Sequence, residues 1–169
     1  MRASKLMLVA ALAAISLATA AVGSGARPPA EDGTLSIQDG RASMQLRMRG
    51  GIIGRFARGQ LTVTDSIGDA GIVVVRGAEK ERDLNARTTV YSGANIRFRI
   101  VDDHRFIVKL VASKINLSAV GRGEGWLDGW GDPEGGVFFD GSVSLNGGPY
   151  RSIPDKRERI ELVGPPSGG

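Results

Sequence analysis

Apolar and polar residues alternate along most of the chain after residue 33, in short runs that are separated by glycines. Leu35 and Ile37 alternate with polar residues, and the same period of two continues through Met44, Leu46 and Met48. Side chains two residues apart share one face of a strand, so each run predicts a strand with one buried face. Glycine supplies 25 of the 169 residues, which suits many short turns. The pattern predicts an all-β fold, either an antiparallel β-sandwich or a closed barrel.

The apolar positions of the longest alternating runs predict the hydrophobic core. Two segments between the runs carry different signals. Asp39-Gly40 favours a tight hairpin turn that joins the strands on either side. Residues 78–86 have a charged, helix-forming composition, which predicts one or two helical turns on the surface.

The alternating runs themselves predict the residues of the core. These predicted core residues are Met44, Leu46, Met48, Phe98, Ile100, Phe106, Val108 and Leu110.

Two stretches of the chain, residues 35–64 and 98–128, match each other after a shift. A shift of 64 places Leu46 on Leu110 and Gly59 on Gly123. An internal repeat of this kind predicts two pseudo-symmetric halves related by an approximate two-fold axis. The alternative is chance, since any two alternating β sequences align about this well. If the repeat is real, both glycines occupy equivalent bends with φ above zero or a close backbone neighbour.

The N-terminus has the pattern of a secretory signal peptide over residues 1–26. Arg2 and Lys5 precede an uncharged apolar run, residues 6–22, which is followed by small residues. A run of 17 residues is at the lower limit for a spanning helix, so we favour a cleaved signal-peptide helix over a membrane anchor. The protein is therefore expected to be secreted or to lie in the cell envelope, with no membrane span after cleavage.

Signal cleavage defines the expected domain organisation. Residues 27–33 form a flexible mature N-terminus, residues 34–163 a single all-β domain, and residues 164–169 a disordered tail. The chain has no cysteine, so neither a disulfide nor a lipid-modified cysteine stabilises or anchors it. Cleavage removes two of the 22 basic and none of the 18 acidic residues, which lowers the formal charge from +4 to +2. This near-neutral balance argues against a nucleic-acid partner.

The densest group of aromatic and acidic residues lies between residues 124 and 134 and includes both tryptophans. Tryptophan faces stack on sugar rings and carboxylates accept hydrogen bonds from hydroxyls, so the segment is a candidate glycan site. The alternatives are tryptophans that cover the core and a solvated acidic loop. The acidic spacing differs from that of a calcium loop, so no metal site is predicted. The candidate ligand-binding residues are Glu124, Trp126, Asp128, Trp130 and Asp132.

A second candidate surface consists of arginines. Arg47 and Arg49 share one strand face, and Arg97 and Arg99 share another. If the two faces adjoin, they form a basic stripe suited to an anionic envelope polymer or lipid headgroups. The alternative is that these arginines fill the solvent face of a sheet and protect its edges.

The chain offers few residues for catalysis. His104 is the only histidine, and it lies in a polar segment predicted to be a turn. No nucleophile or phosphate-binding motif follows the signal segment, and no cofactor is predicted. The sequence therefore favours a non-enzymatic extracellular β domain that binds or structures a glycan or an anionic polymer. The alternative is a small glycan hydrolase that uses carboxylates of residues 124–134.

Overall fold

A computed structural model describes residues 31–65, 71–131 and 140–164 of the chain. The predicted signal-peptide helix, Asp132 and residues 165–169 lie outside the described residues. Across the described ranges the secondary structure is strand and turn without a helix, which confirms the predicted all-β class. Accordingly, these ranges contain no helix long and apolar enough to cross a membrane.

The described residues form seven strands of one antiparallel sheet. Two of them are far longer than a typical strand of about 5 residues, and both bend several times along their length. The strands are β1 (Gly33–Asp65), β2 (Ile72–Arg76), β3 (Lys80–Asn85), β4 (Thr88–Gly129), β5 (Ser142–Leu145), β6 (Arg151–Ser152) and β7 (Glu158–Leu162).

Strands β1 and β4 pair with each other along almost the whole of β1. Thr64 lies opposite Thr88 at one end and Gly33 opposite Gly121 at the other, so the two strands form one long antiparallel ribbon. They also pair in a second register, in which Thr64 lies opposite Ile107. The ribbon therefore coils so that successive turns of it hydrogen-bond to each other.

The paired segments fall into two rows, which we name ladder 1 and ladder 2. Each ladder contains stretches of both long strands and is completed by short strands at its ends. In spatial order, ladder 1 consists of β3 and residues 88–94, 58–65, 106–113, 42–48 and 123–129, then β7. Ladder 2 consists of β2 and residues 96–102, 50–56, 115–121 and 33–40, then β5 and β6.

The chain bends where it passes from one ladder to the other, and several of these bends have left-handed backbone. Asp39, Asn95 and Lys114 have φ values of 49°, 56° and 52°. The hairpin predicted at Asp39-Gly40 is wrong, because the stretches on either side of Asp39 pair with different parts of β4 in different ladders. A single left-handed residue redirects the strand here without reversing it.

The helical turns predicted within residues 78–86 are also wrong. Lys80–Asn85 is a strand, β3, which pairs with Thr88 to Ser92 of β4. All six of its side chains are exposed, because β3 is an edge strand that covers no core. A charged sequence on such an edge has no alternating apolar face by which strand could be distinguished from helix.

The hydrophobic core forms one cluster supplied by both ladders. All eight predicted core residues are buried, with at most 4% of any of their surfaces exposed. Leu46 and Leu110 lie in adjacent segments of ladder 1 and are both completely buried. The predicted buried face of these strands is therefore confirmed.

Gly59 and Gly123 lie where a neighbouring segment approaches closely. An ideal Cβ at Gly59 would lie 2.5 Å from the Cβ of Ala112, and one at Gly123 would lie 2.6 Å from the Cβ of Met48. Each would also clash with a backbone carbonyl oxygen of the same neighbouring segment. Gly59 has in addition a φ of 155°. The expected close backbone neighbour is confirmed at both glycines.

Candidate anion-binding site

The tryptophan segment lies on the outer face of ladder 1. Glu124, Trp126 and Asp128 alternate with buried residues of β4, so all three point outward. The guanidinium of Arg157 lies 4.7 Å from the ring centroid of Trp126, which leaves 38% of that residue exposed. Arg159 Nη2 donates to Glu124 Oε2 at 2.7 Å. A cation therefore covers one face of the ring, and an ion pair occupies the carboxylate of Glu124.

Trp130 lies just beyond the end of β4 in a different environment. The guanidinium of Arg41 is 5.2 Å from its ring centroid, and Arg41 Nε lies 3.8 Å from the buried carboxylate of Asp140. Trp126 and Asp128 line a shallow depression of about 220 Å³ that Trp130 does not border. The structure thus separates the two tryptophans of the predicted glycan site.

Glu124 and Asp128 lie four residues apart on one strand. At about 3.3 Å per residue this places their Cα atoms about 13 Å apart, whereas paired glycosidase carboxylates lie about 5 to 9.5 Å apart across a cleft. Both side chains also project from the same outer face of the sheet, so they do not face each other across a cleft. This arrangement does not favour hydrolysis by these two carboxylates.

Arg47 and Arg49 also belong to the outer face of ladder 1. Arg47 lies opposite Glu124 in the ladder, and Arg49 lies opposite Arg122, which is paired with Asp32 at 3.1 Å. They line a depression of about 570 Å³ whose wall contains carboxylates as well as arginines. Charges of both signs therefore neutralise each other on this side of the molecule.

His104 lies within β4 at the bend where the strand passes from ladder 2 to ladder 1, so the predicted turn is a bend in a continuous strand. Its backbone N–H donates to Asp102 Oδ1 at 2.7 Å, and its Nδ1 lies 3.5 Å from the same oxygen. The carboxylate of Asp102 is buried and holds this bend. In the part of the chain that the structure describes, no three His, Cys, Asp or Glu side chains converge as metal ligands.

Arg97 and Arg99 lie on the outer face of ladder 2, away from Arg47 and Arg49. Two further arginines, which sequence reasoning missed, join them there. Arg97 lies directly opposite Arg76 of β2 on one side and opposite Arg55 of β1 on the other. Three arginines therefore form a row across three neighbouring strands. We name the four residues Arg55, Arg76, Arg97 and Arg99 the arginine patch.

The arginine patch has no acidic partner among the described residues. All four side chains are exposed, and no described carboxylate lies within 4.0 Å of any of their guanidinium groups. Like charges directly opposite each other destabilise a sheet by a few tenths of a kcal/mol to about 1 kcal/mol. The row is therefore an energetic cost to the isolated fold, which an anionic ligand would remove.

The surface around the patch is concave. All four arginines line a depression of about 800 Å³, together with Ile53, Val74 and the polar side chains of Asn116 and Ser118. Lys114 lies in an adjoining depression of about 540 Å³, which shares three of the arginines. Asp39 also borders this second depression, and its Oδ1 accepts from Asn116 Nδ2 at 3.4 Å.

Apolar side chains flank the arginines. Arg99 lies between Val74 and Ile53 on the neighbouring strands, and these two residues are 40% and 58% exposed. Apolar neighbours exclude some water from a guanidinium and so strengthen its contact with an anion. The patch thus combines fixed positive charge with a partly apolar floor.

No family model matches the chain, and neither a curated protein nor a solved structure matches it. The surface chemistry of the chain is therefore the guide to its function. Within the described residues, the arginine patch groups four arginines without an ion pair, whereas Arg47 and Arg159 on the side of ladder 1 lie beside Glu124.

Proposed function

We propose that this protein is a non-enzymatic binding domain whose arginine patch holds a polyanionic polymer. The observation that carries the proposal is the row Arg76, Arg97 and Arg55, side by side on three strands with no acidic partner among the described residues. Guanidinium groups present planar pairs of donors that match phosphate and carboxylate oxygens. The ligand class is therefore an extended polymer with repeated phosphate or carboxylate groups.

The exposure of the arginines favours a polymer over a small anion. One exposed ion pair contributes about 0.2 to 1 kcal/mol, so a single anion held by one arginine binds weakly. Neighbouring strands lie about 4.8 Å apart, which spaces three arginines over about 10 Å. A ligand with several linked anions engages the whole row at once and gains from this multivalency.

We infer that the domain works outside the cytoplasm, in the secreted fraction or the cell envelope. The support is the signal-peptide pattern of residues 1–26, with Arg2 and Lys5 before the apolar run. The absence of cysteine is compatible with this compartment, since the fold depends on packing and not on redox state. Anionic polymers of the envelope are then the partners that the patch would meet.

We further propose that the two ladders face each other as the layers of a β-sandwich. Support comes from the buried side chains, which project from both ladders into one cluster. Paired sheets typically enclose a shared core about 10 Å thick in this way.

We also propose that residues 35–64 and 98–128 are copies of one ancestral unit. Gly59 lies opposite Ala112, and Gly123 lies opposite Met48. The shift of 64 residues matches Gly59 with Gly123 and Met48 with Ala112, so it exchanges the two stretches and turns the first pair into the second. The two glycines also have equivalent close neighbours. A repeat of this kind predicts that substitutions at matched positions have matched effects.

The experiment compares binding of long-chain polyphosphate, pyrophosphate and orthophosphate to residues 27–169 by isothermal titration calorimetry. We expect affinity to rise steeply with chain length and to fall with added salt. The triple variant Arg55→Gln, Arg76→Gln and Arg97→Gln removes three exposed contacts of about 0.2 to 1 kcal/mol each, so we expect it to weaken polyphosphate binding about 3- to 150-fold.

A charge-matched control separates the patch from general attraction. Arg47→Gln, Arg49→Gln and Arg82→Gln remove the same charge from the outer face of ladder 1 and from β3. We expect this control to bind polyphosphate within about threefold of the unmodified domain. Equal losses in both triple variants, or equal affinity for all three phosphates, would contradict the proposal.

A further inference from the structure

The sheet has four strands that pair on one side only among the described residues: β2, β3, β6 and β7. Free sheet edges invite pairing with another chain, and proteins usually protect them with charges or by making them very short. β3 carries four charged residues, β7 carries three, and β6 has only two residues. Three of the four edges are therefore protected.

The fourth edge, β2, lacks this protection. Its sequence is Ile72-Val73-Val74-Val75-Arg76, with a single charge at one end. Ile72, Val73 and Val74 are 60%, 39% and 40% exposed. β-branched residues without proline or an internal charge are the composition that favours strand pairing.

We propose that β2 pairs with β2 of a second copy of this chain, antiparallel and about a two-fold axis near Val74. This arrangement is self-complementary, as a two-fold interface requires. It aligns apolar residues with apolar residues, and Arg76 falls opposite Ile72 of the partner subunit. The only charge on the β2 edge therefore does not lie opposite its own copy across the interface.

The pairing joins the sheets of two copies and places both arginine patches on one continuous surface. Val74 and Arg76 point to the same side as Arg99 and Arg97, their partners in β4. A two-fold axis perpendicular to the sheet keeps this side common to both copies. The proposed dimer depends only on β2, so a test of the dimer does not depend on whether the arginine patch binds a polyanion.

The extent of the contact sets the expected affinity. A five-residue strand pair buries less than the roughly 1,200 Å² of a standard stable interface, so a weak, concentration-dependent dimer is expected. Sedimentation equilibrium of residues 27–169 without added polymer, across micromolar to millimolar protein, measures it. We expect the weight-average mass to rise toward that of a dimer.

Two matched variants locate the interface. Val74→Lys places a charge in the middle of the β2 edge and should give a monomer at all concentrations. Val111→Lys makes the same change at a residue of comparable exposure, 48%, on the outer face of ladder 1, and should still dimerise. A monomeric unmodified chain, or equal loss of dimer in both variants, would overturn the proposal.

A spectroscopic measurement distinguishes β2 from any other dimer contact. Because the chain lacks cysteine, Val74→Cys or Val111→Cys introduces one site for a nitroxide spin label. We expect dipolar broadening of the EPR spectrum from the label at residue 74 in concentrated samples, and none from residue 111. Broadening at residue 111 alone would show that the copies meet elsewhere.

Discussion

The outer face of ladder 2 has two halves that use the same strand arrangement and opposite surface chemistry. The arginine half comprises β2 with residues 96–102 and 50–56, and the hydroxyl half comprises β5 with residues 33–40 and 115–121. The outward pairs of the two halves differ in side chain. In the arginine half Arg97 lies opposite Arg55 and Arg99 opposite Ile53, whereas in the hydroxyl half Thr34 lies opposite Val120 and Ser36 opposite Ser118.

The hydroxyl half satisfies its polar groups internally. The hydroxyl of Tyr150 lies 2.8 Å from Ser36 Oγ and accepts a hydrogen bond from Gln38 Nε2 at 3.0 Å. Small residues with local partners are thus sufficient to cover this side of the sheet. The comparison teaches that the fold does not require arginines at such positions, which strengthens the case that the arginine half is kept for binding.

The largest expected effect moves from the outer face of ladder 2 to the core, and tests whether the matched stretches 35–64 and 98–128 have an equivalent interior in ladder 1. Leu46→Ala and Leu110→Ala each open a cavity at a completely buried position, so each should lower the free energy of unfolding by about 2 to 5 kcal/mol. Urea denaturation measures both values. If one variant loses stability within this range and the other does not, the two matched stretches are not equivalent.

The second test concerns the close approaches at Gly59 and Gly123. Alanine at either position pushes a Cβ into a neighbouring backbone, so we expect a loss of about 1 to 3 kcal/mol at both. Gly51→Ala is the control, because its added Cβ would meet only Val101 Cγ2 at 4.0 Å. A small effect at one of the two close-packed glycines would argue against equivalent bends.

The smallest expected effect has the opposite sign and places a residue typical of the hydroxyl half into the arginine half. Arg97→Thr removes a like charge that faces Arg76 and Arg55, so thermal denaturation at low salt should show a gain of about 0.2 to 1 kcal/mol. The gain should shrink in high salt as the charges are screened. A loss of stability would mean that Arg97 supports the sheet.

The alternation of the sequence predicted which residues are buried, because side-chain direction along a strand follows directly from a period of two. It did not predict strand partners, since the same period is compatible with any register or neighbour. This is why Asp39-Gly40 was interpreted as a hairpin. A bend and a reversal share the same left-handed backbone and the same polar residues.

The sequence predicts two of the four residues of the arginine patch, because it does not show which strands pair. Arg97 and Arg99 share one strand and were visible as a pair in the sequence. Arg55 and Arg76 come from distant parts of the chain and join them only through pairing. The grouping of Arg47 with Arg97 depends on the condition that two arginine-rich faces adjoin, and the structure places them on separate ladders.

The ribbon of β1 and β4 has a consequence for how the chain reaches its fold. Thr64 and Thr88 are separated by 24 residues and Gly33 and Gly121 by 88, so each successive pair closes a longer loop. Loop-closure entropy favours formation of the shortest loop first, followed by zipping toward the ends. Because most contacts are distant in sequence, folding should be slow for a domain of this size. During synthesis, the stretch around Gly33 therefore waits unpaired until the far end of β4 has emerged.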